Sequence, residues 1–134
     1  MLKKFARYTV VCAALIAANA AYAADALPNG VRRNELQKSQ VPGGKYIVVM
    51  SQVDIDVGAK LPMHTHPGVE TGYVISGMLT LSVQGELDRT LGPGESYLVP
   101  SGRPHSAVSG GPQPYKGIST YIVEADKPLS SPAP

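Results

Sequence analysis

Four residues stand out in this 134-residue sequence for what they could do together: His64, His66, Glu70 and His105, which include all three histidines of the chain. His64 and His66 are two apart, so on a strand both imidazoles leave the same face. Glu70 comes four positions later, beyond Pro67-Gly68, and a strand restarting near Val69 would turn its carboxylate back to the same interior. His105 opens a later segment, directly after Ser101-Gly102-Arg103-Pro104. Three neutral imidazoles and one carboxylate meeting inside a β-barrel make a cation site of borderline hardness. Such a site suits one divalent Fe, Mn, Ni, Co, Cu or Zn rather than Ca or Mg. A His-x-His pair alone is common on protein surfaces, so the weight rests on the elements around it.

Those elements read as strands. From Lys45 onward, short runs of alternating apolar residues are separated by turn signals every 8–12 residues or so, the rhythm of an all-β sandwich or barrel. The runs are 46–53, 61–66, 69–76, 78–83, 87–91, 96–100, 105–108 and 117–123, with glycine and proline between them. About eight strands in so short a stretch fit a sheet that closes on itself and thereby protects its edges. Residues 24–42 lack periodicity and read as a short N-terminal arm, 43–125 as the domain, and 126–134, rich in proline and serine, as a disordered tail. Tyr97 and Val99 share a strand face, and Tyr121 lies on the last strand. A phenol near the cation could act as a general acid or orient a ligand, and Tyr97 is the candidate. Met50 and Gln52 share a parity that could bring them to the mouth of the barrel, and Arg103 could meet an anion.

The first 23 residues are of another kind. Lys3, Lys4 and Arg7 precede an apolar run from Tyr8 to Ala18, and Ala21-Tyr22-Ala23 offers a small-x-small cleavage site. Residues 1–23 read as a secretory signal peptide, and the mature protein is expected in the periplasm or secreted. Its removal takes the only Cys (Cys12) and the only Phe (Phe5), and the loss of three cations moves the net charge from +2 to −1. A domain without cysteine must hold itself by core packing, a bound metal or self-association. Weak net charge gives no nucleic-acid footprint, and no run reaches the roughly 18–20 apolar residues of a bilayer span. The expected partners are a small molecule and a second copy of the chain, with no stable membrane anchor after cleavage.

Glycines and prolines frame the candidate ligands at fixed intervals: Gly58-x5-His64-x-His66-x3-Glu70-x6-Gly77, then Gly94-x5-Pro100-x-Gly102-x2-His105-x3-Ser109. In these two motifs the chain resembles the cupin superfamily, in particular its small single-domain, quercetin-dioxygenase-like members. Every fixed position of the first motif is matched. The second departs only at Ser109, where the family has Asn. The resemblance implies a double-stranded β-helix, or jelly-roll barrel, with His64, His66, Glu70 and His105 as metal ligands. Four protein ligands on an octahedral ion leave two positions open, which distinguishes a reactive metal from a structural one. The first expectation is a dioxygenase, in which Glu70 could shuttle a proton. The alternatives are lyase, isomerase or decarboxylase chemistry on a redox-silent ion, or metal-dependent binding of a small ligand without catalysis. Dimerisation through exchange of the N-terminal arm is also expected.

Overall fold

The protein is described by a computed structural model covering residues 27–134, so the signal peptide expected at 1–23 lies outside the described residues. Among these residues there are ten strands and no helix: β1 (Val31–Gln40), β2 (Tyr46–Ile55), β3 (Lys60–Thr65), β4 (Gly68–Ser76), β5 (Leu79–Val83), β6 (Arg89–Leu91), β7 (Ser96–Val99), β8 (His105–Ser109), β9 (Tyr115–Glu124) and β10 (Ser131–Pro132). They form two five-stranded antiparallel sheets, ordered β1-β2-β9-β4-β7 and β10-β3-β8-β5-β6. Sequence neighbours such as β3 and β4, or β7 and β8, lie in opposite sheets. The chain therefore wraps as the expected jelly roll.

Alternation decides what faces inward. β9 buries Tyr115, Gly117, Ser119, Tyr121 and Val123, and β4 buries Gly68, Glu70, Gly72 and Val74. Val53 and Ile55 of β2, Leu79, Leu81 and Val83 of β5, and Val99 of β7 close the core between the sheets. Apolar residues at every second position thus supply the burial that drives the two sheets together. The four motif glycines 58, 77, 94 and 102 all have positive φ, between 70° and 89°, a region closed to most side chains. Pro100 directly follows β7, where its missing N–H costs no ladder bond.

All eight expected strands are present, and two more frame them. The segment expected as an arm at 24–42 contains β1, which pairs with β2 of its own chain from Val31↔Ile55 to Gln40↔Ile47. The tail expected to be disordered at 126–134 is instead docked. Ser131 and Pro132 pair with Thr65 and His64 of β3, and Leu129 packs on Val49, Tyr121 and Val123. Composition alone missed this because a two-residue strand and a single packed leucine do not show as periodicity.

Candidate metal centre

β3 carries a register shift between Leu61 and His64, after which His64 stands opposite His105 of β8. This bulge at Pro62-Met63 turns the end of β3 so that His64 and then His66 face inward. Glu70 arrives from the opposite sheet, where β4 is held between Val99 of β7 and Tyr121 of β9. One donor atom from each of His64, His66, Glu70 and His105 lies within 4.8 Å of all the others. The structure therefore brings together the four residues expected from the sequence, and buries all but the half-buried His64.

The backbone fixes how the imidazoles are presented. His64 Nδ1 donates to the Pro62 carbonyl (2.8 Å), His66 Nδ1 to the Leu129 carbonyl (2.6 Å), and His105 Nδ1 to the Arg103 carbonyl (2.9 Å). A carbonyl only accepts, so each ring carries its proton on Nδ1 and, when neutral, has a bare lone pair on Nε2. Nε2 of His66 and of His105 each lie 3.1 Å from the same Glu70 Oε2. His66 Nε2 is buried with no hydrogen-bond partner. Lone pairs and a carboxylate crowd together in a dry site only when positive charge lies among them. The separation is also that of neighbouring ligands on one ion with bonds of about 2.1 Å. The donor set fits a divalent transition metal.

Local electrostatics hold the set in ligating form. Burial pushes the His64 imidazole down to about 4 from its ordinary 6.5, so it is neutral at physiological pH. Burial works to raise the Glu70 carboxyl, but in the metal-free site His105 and His66, whenever their rings are protonated, more than offset this and hold it well below the usual carboxylate range. Tyr97 moves the other way. Burial, reinforced by the Glu70 charge, raises its hydroxyl well above 10 and keeps it protonated. That proton goes to Glu70 Oε1 (3.0 Å), so the Ser119 hydroxyl, 3.2 Å away, must donate to the Tyr97 oxygen. Gly72, paired directly with Tyr97, makes room for the ring, because a Cβ there would overlap it.

These residues open onto a cavity of about 590 Å³ between the sheets, walled by Val53, Ile55, Leu79 and Leu81 among others. Tyr115, Ser119 and Tyr121 line it as well. Burial and the Glu70 charge push the Tyr115 hydroxyl up to about 12. Sequence reasoning passed over Tyr115 and Ser119, although strict alternation back from Tyr121 through Ser119 and Gly117 would have found both. Three other residues considered from sequence lie elsewhere. Met50 is exposed on the outer face of β2, and Gln52 beside it bonds Asp54 there (2.8 Å), because the inward parity of β2 belongs to Val49, Ser51, Val53 and Ile55. Arg103 reaches the Gln84 carbonyl (3.0 Å), closing a turn away from the cavity. Ser109, at the one departure from the motif, donates to the Gln113 carbonyl (3.3 Å) and steadies the connection between β8 and β9.

Comparison with known proteins agrees with this geometry. A family model described as "Cupin domain" matches residues 51–121. The dimethylsulfoniopropionate lyase DddQ of Ruegeria pomeroyi is 34% identical over 61 residues, which cover 46% of this chain and 28% of that protein. The match thus spans under a third of that relative's length. The solved structure of DddQ superposes with a TM-score of 0.66 at 21% identity, covering 84% of this chain and 58% of that one. An RmlC-like cupin from Shewanella frigidimarina gives 0.61 at 24% identity, covering 74% and 81%. An oxalate oxidase in complex with glycolate gives 0.62 at 24% identity, covering 80% and 57%. At these identities the structural likenesses establish the fold.

Proposed function

The chain belongs to the cupin family, and from that premise we propose that it is a metal-dependent enzyme that cleaves or isomerises a small oxygen-rich molecule by moving a proton, in the manner of a lyase. One observation carries this reading: the hydrogen-bonded series Ser119–Tyr97–Glu70 joins a proton-bearing phenol to the ligand cluster inside the cavity. His64, His66, Glu70 and His105 would hold the ion. When bound, it would supply a Lewis acid that polarises a substrate carbonyl or carboxylate. Tyr97 holds a proton at its hydroxyl, Ser119 fixes the direction of that hydroxyl, and the apolar wall excludes water. The partial sequence match to a protein named as a lyase supports the same choice.

The dioxygenase reading stands second. Three imidazoles and a carboxylate also accept redox-capable ions, and the native ion decides. Elemental analysis of protein from its native source, followed by turnover assays under nitrogen and under oxygen, separates the two. Turnover without oxygen supports the lyase reading, whereas oxygen uptake coupled to product overturns it in favour of the dioxygenase. A melting shift with ligand but no turnover with any metal would reduce the protein to a binder. We also propose that the protein is exported after cleavage behind Ala23, and a mature chain beginning at Ala24 by mass spectrometry is the expected result.

A further inference from the structure

The first strand places a charge where the barrel has little use for one. β1 lies on β2 with Val31 opposite Ile55 and Arg33 opposite Val53, and both partners are core residues. Residues two apart on a strand share a face, so Arg33 leaves on the interior side with buried Val31. Arg32 turns outward into a two-bond clamp on Asp56, at 2.8 and 3.1 Å. Arg33 is half-buried, and among the described residues it makes no ion pair. Glu35, on the same face of β1, does not bridge to it, and the acids that are paired go to Arg32, Lys116, Lys127 or the histidines.

Its surroundings are those of the cavity. Arg33 is the one Lys or Arg in a wall that also contains His64, Glu70 and His105. Its neighbour there is Tyr121, whose hydroxyl burial and the Glu70 charge push up, with Ser119 and Arg33 pulling the other way. The Tyr121 ring in turn sits 4.8 Å from the His66 ring. The half-buried Arg33 guanidinium thus meets the cavity with the Tyr121 hydroxyl as its hydrogen-bonding neighbour and no carboxylate in an ion pair with it, which leaves its planar fork open to a matching anion.

We propose that Arg33 recognises the substrate of this cavity and that the substrate is a small carboxylate, its acid group held by Arg33 and its reacting end turned to the His64, His66, Glu70 and His105 cluster. This rests on the metal-dependent reading for the reacting end but not for the binding of the acid group, so the two can fail separately.

The test uses metal-free protein and does not depend on turnover. Acetate, propionate and succinate are titrated against wild type, Arg33→Gln, Arg33→Lys and the outward-facing control Arg32→Gln, with the matching neutral amides and inorganic phosphate alongside. Binding is read by calorimetry and by shifts of the tyrosine ring resonances. At least one acid is expected to bind wild type and Arg32→Gln alike, to lose about tenfold or more in affinity in Arg33→Gln, and to be partly restored in Arg33→Lys. The amides should not bind, and phosphate should bind more weakly than the best acid. Metal content after reloading should be the same in all variants. Equal binding of an acid to wild type and Arg33→Gln, amides binding as well as acids, phosphate binding best, or no Arg33-dependent response to any acid would each overturn the proposal. Should Arg33→Gln not fold, Arg33→Lys alone decides it, because a point charge cannot reproduce the two-bond contact. Loss of the metal site with acid binding intact would overturn the enzymatic reading and leave this one standing.

Discussion

Tyr97 is the side chain on which the proposed chemistry turns. Its hydroxyl gives its proton to Glu70 Oε1 and takes one from Ser119, while Glu70 Oε2 faces His66 and His105. Tyr97→Phe keeps the ring over Gly72 and removes only the proton donor. We expect metal content and KM to stay near wild type and kcat to fall by about 100-fold or more, since a positioned proton donor contributes on that order. Equal loss of metal would show the hydroxyl to be merely structural. His64 sets a second expectation. Folded, it takes up a proton only near 4, against 6.5 ordinarily, so the unfolded chain binds more protons between those values and acid favours unfolding there. The depressed Glu70 carboxyl acts in the same direction lower down, stabilising above its ordinary 4.5 and losing that effect as pH falls toward its folded value. Thermal melts of metal-free protein should therefore drop from pH 6.5 toward 4, and His64→Asn should flatten the slope. A slope unchanged in the variant would remove His64 as its source. His64, His66 and Glu70 were readable in the sequence because a period of two and a return past Pro67-Gly68 are local facts, and His105 because its own glycine and proline spacing repeats a family motif. Ser119 follows from the same alternation on β9, whereas Arg33 was not readable, because its inward direction depends on how β1 registers on β2, which no short window contains.

Among the strands, the two that local pattern missed are the informative ones. β1 shows no clean alternation because from Asn34 to Gln40 both its faces meet solvent, so no selection for apolar residues at every second position operates there. β10 is only two residues long, and its effect is carried by main-chain atoms. It lies along β3 beside His64, while the Leu129 carbonyl just before it takes the Nδ1 proton of His66. The C-terminal segment thus fixes which nitrogen His66 presents. Ending the chain after Asp126 removes that acceptor and uncovers one side of the cavity, where Ser130 to Ala133 form part of the wall. Loss of such an outer partner costs roughly 10–100-fold in metal affinity. We expect that range for zinc or cobalt titrated into the truncated protein, with the circular-dichroism spectrum of the sheets unchanged. Cobalt spectra identical to those of the full chain would show that the segment only covers the site.

Taken whole, the molecule leaves apolar surface that its own two sheets do not use. On the outer face of the sheet holding β4, β7 and β9, Tyr73, Ile75, Leu98 and Ile122 are 51%, 45%, 57% and 46% exposed. Leu98 stands beside Thr71 and Tyr73 beside Ser96, so on this face apolar side chains alternate with small polar ones across neighbouring strands. The opposite edge of the same sheet is β1, which among the described residues has no further strand beside it and is exposed on both faces from Asn34 to Gln40. A chain without a cysteine in its described part gains stability by covering such a face, and a second copy is the partner always at hand. The prediction is a homodimer through this outer face, with each β1 kept on its own β2 rather than exchanged, burying on the order of 800 Å² per protomer. Light scattering of the mature protein should give twice the mass of the chain. Leu98→Glu and Tyr73→Glu, both outward-facing and remote from the cavity wall, should give monomers that keep their metal. A wild-type monomer at micromolar concentration would sink the dimer outright. A dimer untouched by either substitution, but lost when residues 27–40 are removed, would move the interface to β1 and revive strand exchange.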